Sequence, residues 1–180
     1  LSVAAGISSS SIAGWLGTER VVRAMPNTPA LIGKGITGLF ARPAVLAADR
    51  DAVNNVVRST GQHIWLETES QLDAVTAISG SGPAYLFYMM EAMTDAGAAM
   101  GLSREQAYQL AVATCIGAGE LALASTESAE VLRQRVTSKG GTTYAALSSM
   151  EANRVKPLLI QAMQAAGARA AELGEEFGAA

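Results

Sequence analysis

Apolar residues in the first third of the chain fall in short runs separated by polar and glycine-rich breaks. Residues 3–5 read as a strand. Residues 8–16 read as a helix opened by serines that cap its free N–H groups. Residues 20–25 form a second strand, halted by Pro26-Asn27-Thr28-Pro29. Two prolines in that stretch remove donors and force an extended turn. Residues 36–41 predict a third strand, 46–58 a helix closed near Gly61, and 62–66 a fourth strand. Strand and helix in alternation imply a parallel or mixed sheet covered by helices.

After Glu67 the period changes from strand to helix. Residues 72–100 form one long apolar segment, broken at Ser79-Gly80-Ser81-Gly82-Pro83, where a kink is expected. Ser103-Arg104-Glu105-Gln106 is a capping box that opens a helix to about residue 124. Shorter helices are expected over 128–136 and 142–152, with a glycine turn between them. A last helix is expected over 155–173, ended by Gly174. The helical half carries more apolar surface than it can bury by itself. Leu86, Met89, Met90 and Met93 share a face, and the helix around Leu110, Cys115 and Ile116 has little polar surface. A helix apolar all round requires cover, and a second copy of the chain is the expected cover.

Composition narrows the partners. Thirteen Lys+Arg against sixteen Asp+Glu leave a net charge of −3. No basic surplus exists to displace counterions from a nucleic acid. One cysteine, Cys115, excludes an internal disulfide framework, and a reducing cytoplasmic location is expected. One histidine, His63, and no Cys/His cluster argue against a metal site. No uninterrupted apolar run of about 18 residues points to a membrane span. The chain opens on Leu1 inside an apolar stretch, so a fragment whose beginning is missing is expected.

Four places bear on chemistry. Gly33-Lys34-Gly35-Ile36-Thr37-Gly38 matches G-x-G-x-x-G by letter, but a proline turn precedes it and a strand follows. The dinucleotide fingerprint needs a strand before and a helix after, so this is a loop entering a strand. The turn Thr137-Ser138-Lys139-Gly140-Gly141, running into Thr142 and Thr143, places adjacent glycines before a helix N-terminus. That arrangement suits a carboxylate or phosphate; it also suits an ordinary glycine turn with a threonine cap. Asn27 and the small residues Ala4-Ala5-Gly6 sit at strand ends, where ligands of open α/β sheets bind, although turn chemistry and tight packing use the same residues. Glu69 either caps the long helix or faces a ligand's ammonium group. His63 reads as a structural histidine and Cys115 as an inert core thiol.

Three segments resemble one family. Val131 to Glu151, VLRQRVTSKGGTTYAALSSME, is similar to the signature of pyrroline-5-carboxylate reductases. Val22 to Pro29, VRAMPNTP, resembles that family's loop beside the nicotinamide. Asp73-Ala74-Val75-Thr76 followed by Ser79-Gly80-Ser81-Gly82-Pro83-Ala84-Tyr85 resembles the start of its dimerisation helix. The resemblance implies an α/β then all-α chain: residues 1–68 as the C-terminal part of a Rossmann-like NAD(P)-binding domain, and 69–180 as a helical dimerisation and substrate-binding domain. It implies reduction of Δ1-pyrroline-5-carboxylate to L-proline with NADPH or NADH, by a homodimer or higher homo-oligomer.

Carried onto this sequence, the resemblance makes Thr143 a hydrogen-bonding and catalytic threonine. It assigns Ser138, Gly141 and Thr142 to the substrate carboxylate and Glu69 to substrate contact. Val3, Ala4, Ala5, Pro26 and Asn27 fall on the cofactor side. Two departures are expected to matter. Lys139 stands where the family usually has proline, and the family's glycine-rich fingerprint has no counterpart in this sequence. Poor activity of the chain by itself follows from the second. Two other readings are a non-catalytic oligomerisation fragment and a β-hydroxyacid dehydrogenase-like enzyme. The latter usually places a lysine at its active site, and Lys34, Lys139 and Lys156 are the only lysines here.

Overall fold

The computed structural model describes residues 1–178. They divide into two compact units, Leu1–Pro83 with residues from Gln161 onward, and Ala84–Ile160.

The first unit is built on a three-stranded mixed sheet, ordered β1 (Val22–Met25), β2 (Gly35–Ala41), β3 (Gly61–Trp65). β1 runs antiparallel to β2, with Val22 opposite Ala41. β2 runs parallel to β3, with Gly35 opposite Gly61. Alternate residues of β1 and β2 supply Val22, Ala24, Leu39 and Ala41 to one face. There they meet Val53 and Val57 of helix α2 (Ala47–Arg58). This is the period-2 strand meeting the apolar stripe of a helix. Leu39 is fully buried. On the opposite face, Val75 of helix α3 (Gln71–Val75) lies against Gly38.

Local signals place the ends of most elements. Helix α1 (Ser9–Leu16) begins where the Ser8 hydroxyl accepts from the Ser11 N–H, and Gly17 closes it in a left-handed conformation. Pro29 sits in the first turn of a short 3-10 segment, Thr28–Ile32, after β1. Gly33 ends that segment and β2 follows at once, so G-x-G-x-x-G is a turn into a strand, as its flanks predict.

Two expectations are corrected. Residues 3–5 form no strand. Pairing is limited to a bridge at Ser2, whose N–H donates to Val22 O (2.9 Å) and whose carbonyl accepts from Ala24 N–H (2.8 Å). The Ser2 side chain then accepts from the Ala4 N–H (3.3 Å), and a positive φ of 73° at Gly6 turns the chain away. Nor does Gly174 end the last helix, α8 (Val155–Gly178). Arg169 pairs with both Glu172 and Glu176, holding the turn on each side of Gly174. One glycine costs about 1 kcal/mol in a helix, and charge pairs spanning it offset part of that.

After α3, residues Thr76–Gly80 form a π-helical turn that leads into α4 (Gly82–Ala99). This is the irregularity expected from Ser79–Pro83, and π turns of this kind are typical places for a helix to bend.

The second unit is wholly helical: most of α4, then α5 (Arg104–Ala124), α6 (Ala129–Arg135), α7 (Thr142–Ala152) and the start of α8. The capping box forms as predicted, with Ser103 Oγ accepting from Gln106 N–H and Gln106 Oε1 accepting from Ser103 N–H. Within α5 only Ala107 and Ala111 are buried. Phe87, Leu110, Ile116 and Leu121 are each more than half exposed in the single chain. Cys115 is half-buried rather than a core thiol. By length and composition α5 could cross a membrane, and it is the one such helix among the described residues.

Candidate functional site

The turn before α7 is open at its helix end. Gly141 is the N-cap and its N–H donates to Ser138 O (3.0 Å), while no side chain caps the helix. The Ala145 N–H closes the first intrahelical bond onto Gly141 O (3.1 Å). The amides of Thr142, Thr143 and Tyr144 are therefore the unpaired donors of a helix N-terminus, where partial positive charge collects. Thr137 is spent on the preceding helix, its hydroxyl donating to Arg133 O (2.6 Å). The hydroxyls of Ser138, Thr142 and Thr143 have no partner among the described residues. Gly141 lets Ser138 come close: a Cβ there would lie 2.6 Å from Ser138 Oγ, so a larger residue turns that side chain aside. Gly141→Ala is thus expected to push the Ser138 hydroxyl out of the turn and, where an anion sits on this helix start, to weaken its binding about tenfold. A proline or sulfate titration followed by NMR would detect it, and unaltered binding would show that Ser138 takes no part.

In the sheet unit, Ala4, Ala5, Gly6, Arg23, Asp73 and Thr76 line a small cleft of about 40 Å³. Val3 is exposed beside it. Pro26 and Asn27 follow β1, and Asn27 Oδ1 accepts from the Ile36 N–H (2.9 Å), which ties that turn to the start of β2.

Glu69 carries the densest polar network of the unit. Its Oε1 accepts from Ser9 N–H (2.6 Å) and from Arg23 Nη1 (2.8 Å), and its Oε2 accepts from Ser9 Oγ (2.5 Å). The side chain therefore caps α1, sixty positions away in sequence, rather than the helix that follows it. Burial pushes the Glu69 carboxyl up, but hydrogen bonds from Ser9 and Arg23, with the Arg23 charge, outweigh it and hold the group below the usual glutamate range. Asp73 shifts the other way: burial raises it, the Glu69 charge adds to that, and Arg23 opposes. Sequence reasoning missed Ser9, Arg23 and Asp73 as one cluster. The usable signal was Arg23 itself, a cation inside the apolar strand VRAM.

The sign of the pH effect follows from the depressed Glu69 carboxyl. Stability from this network is present above the unfolded-state value, about 4.3, and is lost as pH falls through the lower folded value. Glu69→Gln is expected to cost about 1–3 kcal/mol near neutral pH. The difference in melting temperature from the wild type should close in strong acid. A difference independent of pH would exclude an ionised Glu69 as its source.

The expected site residues fall in two groups. Val3, Ala4, Ala5, Pro26, Asn27 and Glu69 lie in the sheet unit, and Ser138, Gly141, Thr142 and Thr143 in the helical unit. Lys34, Lys139 and Lys156 are all exposed.

A three-stranded mixed sheet followed by long helices with exposed apolar faces makes this an α/β part joined to an all-α part. The family model described as pyrroline-5-carboxylate reductase dimerisation matches residues 69–173. A pyrroline-5-carboxylate reductase of Pseudomonas aeruginosa is 50% identical over 179 residues, covering 99% of this chain and 66% of that protein. One of Pisum sativum is 39% identical, covering 96% and 63%. Among solved structures, a pyrroline-5-carboxylate reductase from Coxiella burnetii superposes with a TM-score of 0.91 at 42% identity, covering 95% of this chain and 64% of that one. The Plasmodium falciparum pyrroline carboxylate reductase, solved with NADP bound, gives 0.86 at 33% identity, covering 94% and 65%. The chain belongs to the pyrroline-5-carboxylate reductase family. Its fold is the sheet part of a Rossmann-like domain followed by the helical dimerisation domain. It spans just under two thirds of the length of these relatives.

Proposed function

We propose that this chain serves the NAD(P)H-dependent reduction of the cyclic imine of Δ1-pyrroline-5-carboxylate to L-proline, in the cytoplasm and as a homodimer or higher homo-oligomer. The observation that carries the reading is the uncapped N-terminus of α7, with three hydroxyls around a glycine turn that have no partner among the described residues. An imine acid brings a carboxylate, and this is the kind of place that holds one.

In this reading residues 1–68 belong to the dinucleotide-binding domain, and 69–180 form the dimerisation and substrate-binding domain. The Ala4–Gly6 turn, built of small residues, and the Pro26-Asn27 turn, tied to β2 through Asn27, form the cofactor side. Val3, Ala4, Ala5, Pro26 and Asn27 would hold that end of the cofactor. Bound NADPH or NADH supplies a hydride. Ser138, Gly141 and Thr142 bind the substrate carboxylate through hydroxyl and amide donors. Thr143, one residue into the helix, places its hydroxyl to hydrogen-bond the ring nitrogen and orient it. Glu69, kept ionised, balances the positive charge of a protonated imine.

The test is turnover by the full-length gene product with Δ1-pyrroline-5-carboxylate and NADPH or NADH, beside a panel of hydroxy acids. Thr143→Val should lower kcat/KM for the imine acid by about 10- to 100-fold, the value of a hydrogen bond to a charged or reacting group. Oxidation of hydroxy acids without imine reduction would overturn the reading in favour of a hydroxyacid dehydrogenase.

A further inference from the structure

We infer that Ser9 and Arg23 are positioning residues that aim the Glu69 carboxylate at the ligand, with Arg42 as a further donor onto the Ser9 hydroxyl oxygen. The inference rests on the reading of Glu69 as a substrate contact.

Glu69 Oε1 is filled by two donors, the Ser9 N–H and Arg23 Nη1. Oε2 has one, the Ser9 hydroxyl. A carboxylate oxygen accepts two bonds readily, so Oε2 keeps a lone pair for an N–H of the substrate. The direction of the Ser9 proton is not free. Arg42 Nη1 donates to Ser9 Oγ (3.3 Å), and a guanidinium can only donate. The ionised Glu69 carboxylate can only accept, so the Ser9 hydroxyl spends its one proton there and takes the Arg42 N–H on a lone pair. Arg42 is held in turn by Glu19, whose Oε2 accepts from Arg42 Nε (2.9 Å). The chain of donors thus runs Arg42 to Ser9 to Glu69, with Arg23 closing the other side.

Burial makes this network rigid. Ser9 is 1% exposed, and the Arg23 side chain is 16% exposed. Bidentate and charge-assisted contacts of this sort fix geometry as well as charge. The charged groups facing Glu69 are Arg23 from β1, Asp73 from α3, and Arg42 through Ser9. Loss of either direct donor would turn the carboxylate and raise its pKa. Ser9 also lies four residues beyond Ala5, so the element that aims Glu69 starts next to the turn assigned to the nicotinamide.

The experiment uses the full-length gene product with Ser9→Ala, Arg23→Gln, Arg23→Lys and Glu69→Gln. Ser9→Ala and Arg23→Gln should each raise KM for Δ1-pyrroline-5-carboxylate about tenfold, and leave KM for the nicotinamide cofactor within about twofold. The acid limb of kcat/KM should move to higher pH in both. Arg23→Lys should recover part of the loss by restoring the cation. Should Arg23→Gln fail to fold, Ser9→Ala, which removes one hydroxyl, decides the matter. Substrate and cofactor KM rising together with an unmoved acid limb would overturn the inference, because that is the mark of general loosening. If Glu69→Gln raises the imine-acid KM but the Ser9 and Arg23 variants do not, the inference fails while the site reading stands. If Glu69→Gln has no effect on KM, the role of Glu69 fails, and the inference with it.

Discussion

Gly61→Ala is expected to unfold the sheet unit or leave it barely stable. Gly61 begins β3 with φ 134°, a conformation that alanine reaches only under strain. It also pairs directly with Gly35 of β2. A methyl at Gly61 would press on the Gly35 backbone, within 2.7 Å of its nitrogen and closer still to its oxygen. That neighbour is main chain in a ladder, so relief requires parting β2 from β3. Strain at such a position costs about 1–3 kcal/mol, and the lost pairing adds to it. A total of about 3 kcal/mol or more would remove much of the stability of an ordinary domain. Chemical denaturation followed by the fluorescence of Trp65, on β3 itself, would measure it. A shift below about 1 kcal/mol would mean that the strand ends are looser than the ladder implies.

The second large effect concerns assembly. Leu110 and Leu121 lie on one stripe of α5, eleven residues apart, and each is more than half exposed in the single chain. The matched dimerisation segment includes both. Phe87 and Tyr108 border a furrow of about 420 Å³ between α4 and α5, the kind of slot that a partner helix fills. Replacing Leu110 and Leu121 together by glutamate would bury two unpaired carboxylates in that contact. Each costs several kcal/mol, so the dissociation constant should rise at least about a hundredfold. Sedimentation at micromolar concentration should then show a monomer that keeps most of its helix by circular dichroism. An unchanged oligomer would place the interface on another face. Release of the protein into lipid vesicles without any homo-oligomer would instead give α5 a membrane as its cover.

Much of the architecture was legible because the relevant physics is short-range. Ser8, Ser103 and Ser128 each accept from an N–H three residues on. Such caps can be read within a window of four residues. The Pro26–Pro29 stop, the π turn before Pro83 and the glycine turn before Thr142 belong to the same class. The signature segments identified the family for the same reason, since each is contiguous. Where sequence reasoning failed, the deciding contact lay elsewhere in the chain. Residues 3–5 have the composition of a strand, but hydrogen bonding to β1 stops at Ser2. Gly174 has the look of a helix terminator, but the helix runs through it, with Leu173 and Phe177 lying against Gly6 and Arg169 paired to Glu176.

The amino-acid sequence by itself determined most of the element types and their order, the glycine-threonine turn and the apolar helices that call for a partner. All of these follow from residues within a few positions of one another, or from composition. Only the tertiary structure decided the sheet's pairing directions, the fate of Glu69 and the company of Arg23. The Ser9–Glu69 bonds close a loop of sixty residues. Nothing local marks such a contact, because its worth depends on the burial and donor geometry that folding creates.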